Sequence, residues 1–312
     1  MYTLIEKKIQ ELNYIELISS DKTSKATFCL NQGGRLSSFI FENISILADF
    51  QSLSYTNNYA SCVLFPFANR IKNGKYSFNG IDYTLKCNET DKNNALHGLV
   101  YNKPFDCLHT KTTSNYASIT LGYTSEGDEG FPFKFSIELT YTLSKRGISL
   151  FVRVKNLDQK PFPFTIGWHP YFKSADLNKS VLQFKSNSKY LFDKQQIISD
   201  ITDVATNMPF QLNEVKLDDG YPLETNKIEF FTPEYHLTFT STSKENFLQL
   251  YTPNQPNVIA IEPMTGATDS FNNKMGLQIL PPSSIYKVEW AITIKNQITQ
   301  TTTKTINTSC NF

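Results

Sequence analysis

Arginine is scarce in this 312-residue chain: Arg35, Arg70, Arg146 and Arg153 are the whole complement within 30 Lys+Arg, and 29 Asp+Glu leave a net charge of +1. No cationic excess exists to attract nucleic acid or an anionic membrane surface. Long hydrophobic runs are also missing, and a membrane-spanning helix needs roughly 20 apolar residues. The opening residues, Met1 to Leu12, are broken by charge before an apolar signal core can form, so the expected compartment is a reducing, cytoplasmic one. The five cysteines (Cys29, Cys62, Cys87, Cys107 and Cys310) are odd in number and contain no C-x-x-C pair. They suggest neither a disulfide framework nor a zinc ribbon. Phosphate loops, G-x-G-x-x-G, H-E-x-x-H and G-x-S-x-G are all absent. The histidines at 97, 109, 169 and 236 lack local metal-ligand spacing. The expectation is a site without metal or cofactor.

What the chain has instead is aromatic residues, 24 Phe and 16 Tyr, set in strand-like alternation. Phe133, Phe135, Ile137, Leu139, Tyr141 and Leu143 occupy alternate positions; Ser144-Lys-Arg-Gly147 breaks the run, and Ile148, Leu150, Val152 and Val154 resume it. That spacing predicts a hairpin with one buried face. Tyr76 and Phe78, then Asn79-Gly80, then Ile81, Tyr83 and Leu85 predict a second, because Asn-Gly suits a type I′ turn. Further strands are expected at 25–30, 116–123, 235–240, 247–251, 257–262 and 285–294, the last with Tyr286, Val288, Trp290, Ile292 and Ile294 on one face. Residues 3–12 read equally as a short helix or an edge strand. No helical period persists for a dozen residues, and no linker divides the chain. The expected architecture is all-β, a large antiparallel β-sandwich forming one domain over residues 1–312, with a Thr-rich tail frayed from about 297.

Within that framework a few residues carry chemistry. His109 and His236 lie in strand-like runs and read as ordinary strand histidines. His97 follows a polar loop and precedes a glycine, whereas His169 sits between Trp168 and Pro170, which favours an extended backbone. From these neighbours alone His169 reads either as a structural residue or as a functional one. Glu262 shares a strand face with Val258 and Ala260, opposite Ile259 and Ile261, and the strand is expected to stop at Pro263. It is either a solvated terminus or the acid of a cleft. Asp218 and Asp219 read first as an Asx turn closed by Gly220. Asn69-Arg70 follows an apolar aromatic run, where the guanidinium either binds a ligand or holds a backbone carbonyl.

Taken in order, these motifs resemble the aldose 1-epimerases, or mutarotases, which interconvert the α and β anomers of free sugars. The matching segments are Gly33-Gly-Arg-Leu-Ser-Ser-Phe39, Asn69-Arg70, Asn73-Gly-Lys-Tyr-Ser-Phe-Asn-Gly80 and Leu96-His-Gly98. They continue with His169-Pro-Tyr-Phe172, Leu217-Asp-Asp-Gly-Tyr221, Ile261-Glu-Pro263 and Leu280-Pro-Pro-Ser-Ser284. The resemblance implies a β-supersandwich of the galactose mutarotase type with the sugar on a concave sheet face. It implies Glu262 as catalytic base and His169 as catalytic acid, with Arg70, His97, Asp218 and Asn69 binding the sugar. Asp219 is the other candidate for the aspartate. His97 is followed by Gly-Leu and Glu262 by Pro, departures that mark a divergent subgroup and leave the preferred sugar open.

The chemistry can be reasoned without the family. A cyclic aldose opens when its anomeric hydroxyl loses a proton while the ring oxygen gains one, so a base and an acid must flank one carbon. An ordinary glutamate is ionised near neutrality, and histidine is the side chain best placed to carry a donatable proton. Trp168 or Tyr171 is the expected apolar wall for the ring. The expected partner is a monosaccharide alone, for a monomer or homodimer. Three other readings stay open: a hexose-6-phosphate epimerase with added cations, a non-catalytic carbohydrate-binding protein, and a hydrolase or lyase using Glu262 with Asp218.

Overall fold

The computed structural model describes residues 1–50, 55–204, 209–213 and 216–297. The tail expected to fray from about 297 lies almost wholly outside them. Among the described residues, the largest sheet has nine antiparallel strands. It begins Asp106–Thr112, Tyr116–Ser125, Phe135–Ser144, Gly147–Asn156 and Ile285–Asn296, then runs through Tyr235–Ser241, Lys227–Phe231, Val181–Phe184 and Phe210–Gln211. A second sheet runs Asp218–Leu223, Asn246–Tyr251, Val258–Met264, Gly167–Trp168 and Val63–Leu64, with Tyr171–Lys173 also paired to Val258–Met264. A third sheet is built from the first five strands in chain order.

Alternation explains the sandwich. Phe135, Ile137, Leu139, Tyr141 and Leu143 are all buried, and so are Val288, Trp290, Ile292 and Ile294 on the strand two places away. Leu248, Leu250, Ile259, Ile261 and Trp168 of the second sheet join the same apolar cluster, with Trp168 edge-on to Phe239 at 5.7 Å. Each such side chain contributes about 1.5–3 kcal/mol when fully buried. The opposite face of the second sheet carries Phe247, Gln249 and Tyr251 beside Ala260, Glu262 and Met264. That face holds the polar residues of interest.

Both expected hairpins form. Phe135 pairs with Asn156 through to Ser144 with Gly147, while Asn79 and Gly80 take φ of 51° and 76° between Lys75–Phe78 and Ile81–Thr84. The ambiguity at 3–12 resolves to strand: Thr3–Ile9 is an edge strand paired with Leu12–Ile18. Two readings need correction. The Glu262 strand does not stop at Pro263 but continues to Met264. On one flank its neighbour changes from Tyr171–Lys173, opposite residues 258–260, to Gly167–Trp168, opposite Met264. The proline falls in the gap, where a missing N–H is tolerated. Asp218-Asp219-Gly220 is not an Asx turn but the start of a strand, with Gly220 opposite Gln249. A side chain at Gly220 would come within 2.9 Å of Tyr190 and 3.0 Å of Phe192, so this glycine makes room for packing. No helix among the described residues is long and apolar enough to cross a membrane.

Candidate active site

Cross-strand register brings the site together. Gln249 lies directly opposite Glu262, and Asp218 opposite Tyr251, on three adjacent strands of the second sheet. His169 follows the Gly167–Trp168 strand; its N–H donates to the Cys62 carbonyl at 3.0 Å and its carbonyl accepts from the Ser61 N–H at 2.8 Å. The imidazole is thereby aimed at Glu262, with Nε2 to Oε1 at 3.3 Å. Both side chains are almost fully enclosed, His169 at 4% exposure and Glu262 at 2%. Glu262 is therefore enclosed against His169 and is not a solvated strand end.

His97 completes the group. Its ring stands perpendicular to that of His169, with centroids 4.9 Å apart, and Tyr59 closes its other side at 4.8 Å. Backbone geometry holds it there: His97 has φ of 64°, donates its N–H to the Asn69 carbonyl at 2.8 Å, and Asn69 itself has φ of 60°. Left-handed conformations in residues with side chains tend to cluster at functional sites. Gly98 is obligatory, because at φ of 75° a Cβ would lie 2.2 Å from the Phe65 carbonyl oxygen.

A polar chain runs beside the pair. Arg70 donates Nε to Glu89 Oε2 and Nη2 to Glu89 Oε1, both at 2.8 Å, and Nη1 to Asn69 Oδ1 at 3.2 Å. Asn69 Nδ2 donates to Gln249 Oε1 at 3.4 Å, and Gln249 Nε2 donates to Asp218 Oδ1 at 2.8 Å. All six residues singled out in the sequence thus converge in one place. Asp219 instead pairs with Lys189 at 2.7 Å and accepts from the Tyr221 hydroxyl at 3.4 Å.

Trp168, expected as one candidate wall for a ring, points the other way. It is fully buried in the sandwich core and its Nε1 donates to the Ser61 carbonyl, since side chains of consecutive strand residues face opposite sides. Tyr171 is the residue on the site's side, its ring 4.9 Å from that of His169 and 6.5 Å from that of half-exposed Tyr251. Reasoning from the sequence missed Gln249, Glu89 and Tyr59. For Gln249 a signal existed: alternation through Asn246–Tyr251 places Phe247, Gln249 and Tyr251 away from Leu248 and Leu250. Glu89 and Tyr59 lie in irregular segments with no such mark.

The expected charge states also need revision. Burial, reinforced by nearby Asp218 and opposed by Arg70, pushes the Glu262 carboxyl well above the ordinary range. Burial pushes the His169 imidazole down to about 4, with Arg70 acting in the same direction. Both shifts favour the uncharged forms, a protonated carboxyl against a neutral ring. Burial, then His169 and Arg70, also hold His97 well below the usual histidine value. Burial raises Asp218, while Arg70 and Lys92 pull it back down. Glu262 Oε2, His169 Nδ1 and His97 Nδ1 are buried and have no hydrogen-bond partner within the protein. Buried polar atoms normally find partners, so these three favour a polar ligand. Among the described residues, no group of three or more His, Cys, Asp or Glu is placed to hold a metal ion.

The sequence matches the family described as aldose 1-epimerase over residues 16–293. The chain belongs to the aldose 1-epimerase family. It is similar to YihR of Escherichia coli (strain K12), an uncharacterized protein, at 25% identity over 230 residues, covering 70% of this chain and 73% of that one. Human galactose mutarotase is 27% identical over 166 residues, which span 53% of this chain but only 46% of the human protein. In three dimensions this epimerase-family chain is similar to a galactose mutarotase-like protein from Clostridium acetobutylicum, with a TM-score of 0.83 at 18% identity, covering 95% and 99% of the two chains. The galactose 1-epimerase of Lactobacillus acidophilus NCFM gives 0.76 at 15% identity, covering 95% and 99%. The all-β sandwich is thus of the galactose mutarotase-like kind.

Proposed function

We propose that this protein is an aldose 1-epimerase that interconverts the anomers of free aldoses, with Glu262 and His169 as its proton-transfer pair. The observation carrying the proposal is their enclosed contact at 3.3 Å, with unpartnered polar atoms of Glu262, His169 and His97 beside it. Relatives named galactose mutarotase support a sugar as the substrate.

Ring opening breaks the C1–O5 bond and makes C1=O1. One proton leaves the O1 hydroxyl and one reaches O5, so the protein needs one vacant site and one occupied site. The pair supplies both with a single proton. With that proton on Glu262 the pair is uncharged; moving it across the contact gives the carboxylate base and imidazolium acid that the family's pattern implies. Rotation about C1–C2 presents the other aldehyde face, and reclosure reverses both transfers. Asp218, Arg70, Asn69 and His97 hold the hydroxyls. Tyr171 lines the apolar side of the ring. Acid–base transfer of this kind is worth about 10²–10⁴-fold, and orientation adds to it.

The test is polarimetry or NMR on freshly dissolved α-glucose and α-galactose, with the spontaneous rate subtracted. Acceleration of either supports the proposal. Protein no faster than buffer on every free aldose tried would overturn it and leave a binding role.

A further inference from the structure

Two cations act electrostatically on the half-buried Asp218 carboxyl, Arg70 and Lys92. Both end on one carboxylate. Glu89 receives Arg70 through two bonds of 2.8 Å and Lys92 Nζ at 3.2 Å, and its side chain is only 8% exposed. Asn94 Nδ2 adds a further bond at 3.0 Å while also donating to the Gln195 carbonyl at 2.8 Å, which ties Glu89 into its surroundings. Two further cations also have carboxylate partners, Lys189 with Asp219 at 2.7 Å and Lys72 with Asp193 at 3.4 Å. Arg70 and Lys92 thus face two carboxylates, Glu89 in direct contact and Asp218 through space.

We infer that Glu89 is a specificity-determining residue: by offsetting, together with Asp218, the charge of Arg70 and Lys92 it tunes the site for uncharged sugars and against sugars carrying an anionic group. The inference rests on the epimerase reading of the same site. A bidentate carboxylate also fixes the guanidinium plane, so Glu89 positions Arg70 as well as neutralising it. Positioning and charge make different predictions. Loss of alignment slows every sugar alike, whereas loss of a negative charge favours anionic substrates over neutral ones.

The experiment compares kcat/KM for anomeric exchange of glucuronate with that of glucose, substrates that differ by a carboxylate at C6. Glu89→Gln should raise the glucuronate-to-glucose ratio about tenfold, even as the rate on glucose falls. Lys92→Met, which removes one of the two balanced cations, should move the ratio in the opposite direction by about threefold. Thermal unfolding checks that each variant folds, and if Glu89→Gln does not, Lys92→Met decides alone. Opposite shifts support the inference; a ratio within twofold of wild type for the folded variants overturns it while leaving the epimerase reading standing. Wild-type protein inactive on both sugars would remove that reading and this one together.

Discussion

Glu262 Oε1 and His169 Nε2 lie 3.3 Å apart in an enclosed part of the molecule, each with its second polar atom unpartnered within the protein. Burial favours the uncharged form of each group, so one proton held between them is the favoured state. The carboxyl is pushed up and the imidazole down to about 4, chiefly by burial. An unperturbed pair would behave differently, with an ionised carboxylate near neutrality and a ring that titrates near 6.5.

His169 should therefore remain neutral when the free protein is taken from pH 7 to pH 5.5, and protonate near pH 4. Histidine NMR of wild type against His169→Asn assigns the resonance. The acid limb of kcat/KM should follow the same titration, because a second proton leaves the pair with no base. A His169 resonance titrating at or above 6.5 would contradict this.

Stability should depend on pH with opposite signs in two variants. The lowered pKa of His169 contributes stability that is present above its unfolded value of about 6.5 and is lost as pH falls towards 4. The raised pKa of Glu262 contributes stability that is present below about 4.5 and is lost as pH rises through its folded value. In wild type the two trends oppose each other. Relative to wild type, Glu262→Gln should gain stability as pH rises from 4.5 to 6.5, and His169→Asn should lose it. The slopes are bounded by about 1.4 kcal/mol per pH unit, measured by urea unfolding at fixed ionic strength. Parallel slopes in both variants would show that the pair does not titrate in this way.

Arg35, the arginine of the early glycine-containing segment, braces the chain around Ala60. Buried at 4% exposure, it donates to Asp49 at 3.1 Å and to the Ala60 carbonyl at 3.3 Å, and lies 4.5 Å from the Tyr55 ring centroid. Neighbouring Tyr59, Ser61 and Cys62 contact His97 or the His169 backbone. Arg35→Met should cost about 2 kcal/mol of stability and slow anomeric exchange several-fold. The half-buried Arg153, paired with Glu138 at 2.8 Å, is the control: Arg153→Met should cost less than about 1 kcal/mol. Equal stability losses in the two variants would deny Arg35 its bracing role.

How much of this was legible in the sequence depends on the range of the interactions. Period-2 alternation through Phe135–Ser144 and Ile285–Asn296 marks the core faces because each residue's side is set locally. The side of Glu262 was legible for the same reason. The side of Gln249 was legible by alternation too, but not its importance, which comes from lying opposite Glu262, because register between strands is a property of the folded sheet. Asp218-Asp219-Gly220 misleads in the other direction: its composition suits a turn, yet Tyr190 and Phe192 pack over a strand glycine. The charge states of Glu262 and His169 could not be read from ordinary solution values, because burial shifts both groups towards their neutral forms. His97 announces itself by Gly98, but the Phe65 carbonyl that makes the glycine necessary lies elsewhere in the chain.

The central claim is that Glu262 and His169 act as one unit. Its most direct measurement is the rate of α-glucose or α-galactose mutarotation, whichever the wild type accelerates more, for Glu262→Gln, His169→Asn and the double variant. Each single change should lower kcat by about 10²–10⁴-fold, and the double should be no slower than the worse single, because residues that act together are not additive. A folded single variant keeping a third or more of the wild-type kcat, or a double variant showing the product of two large independent losses, would contradict it.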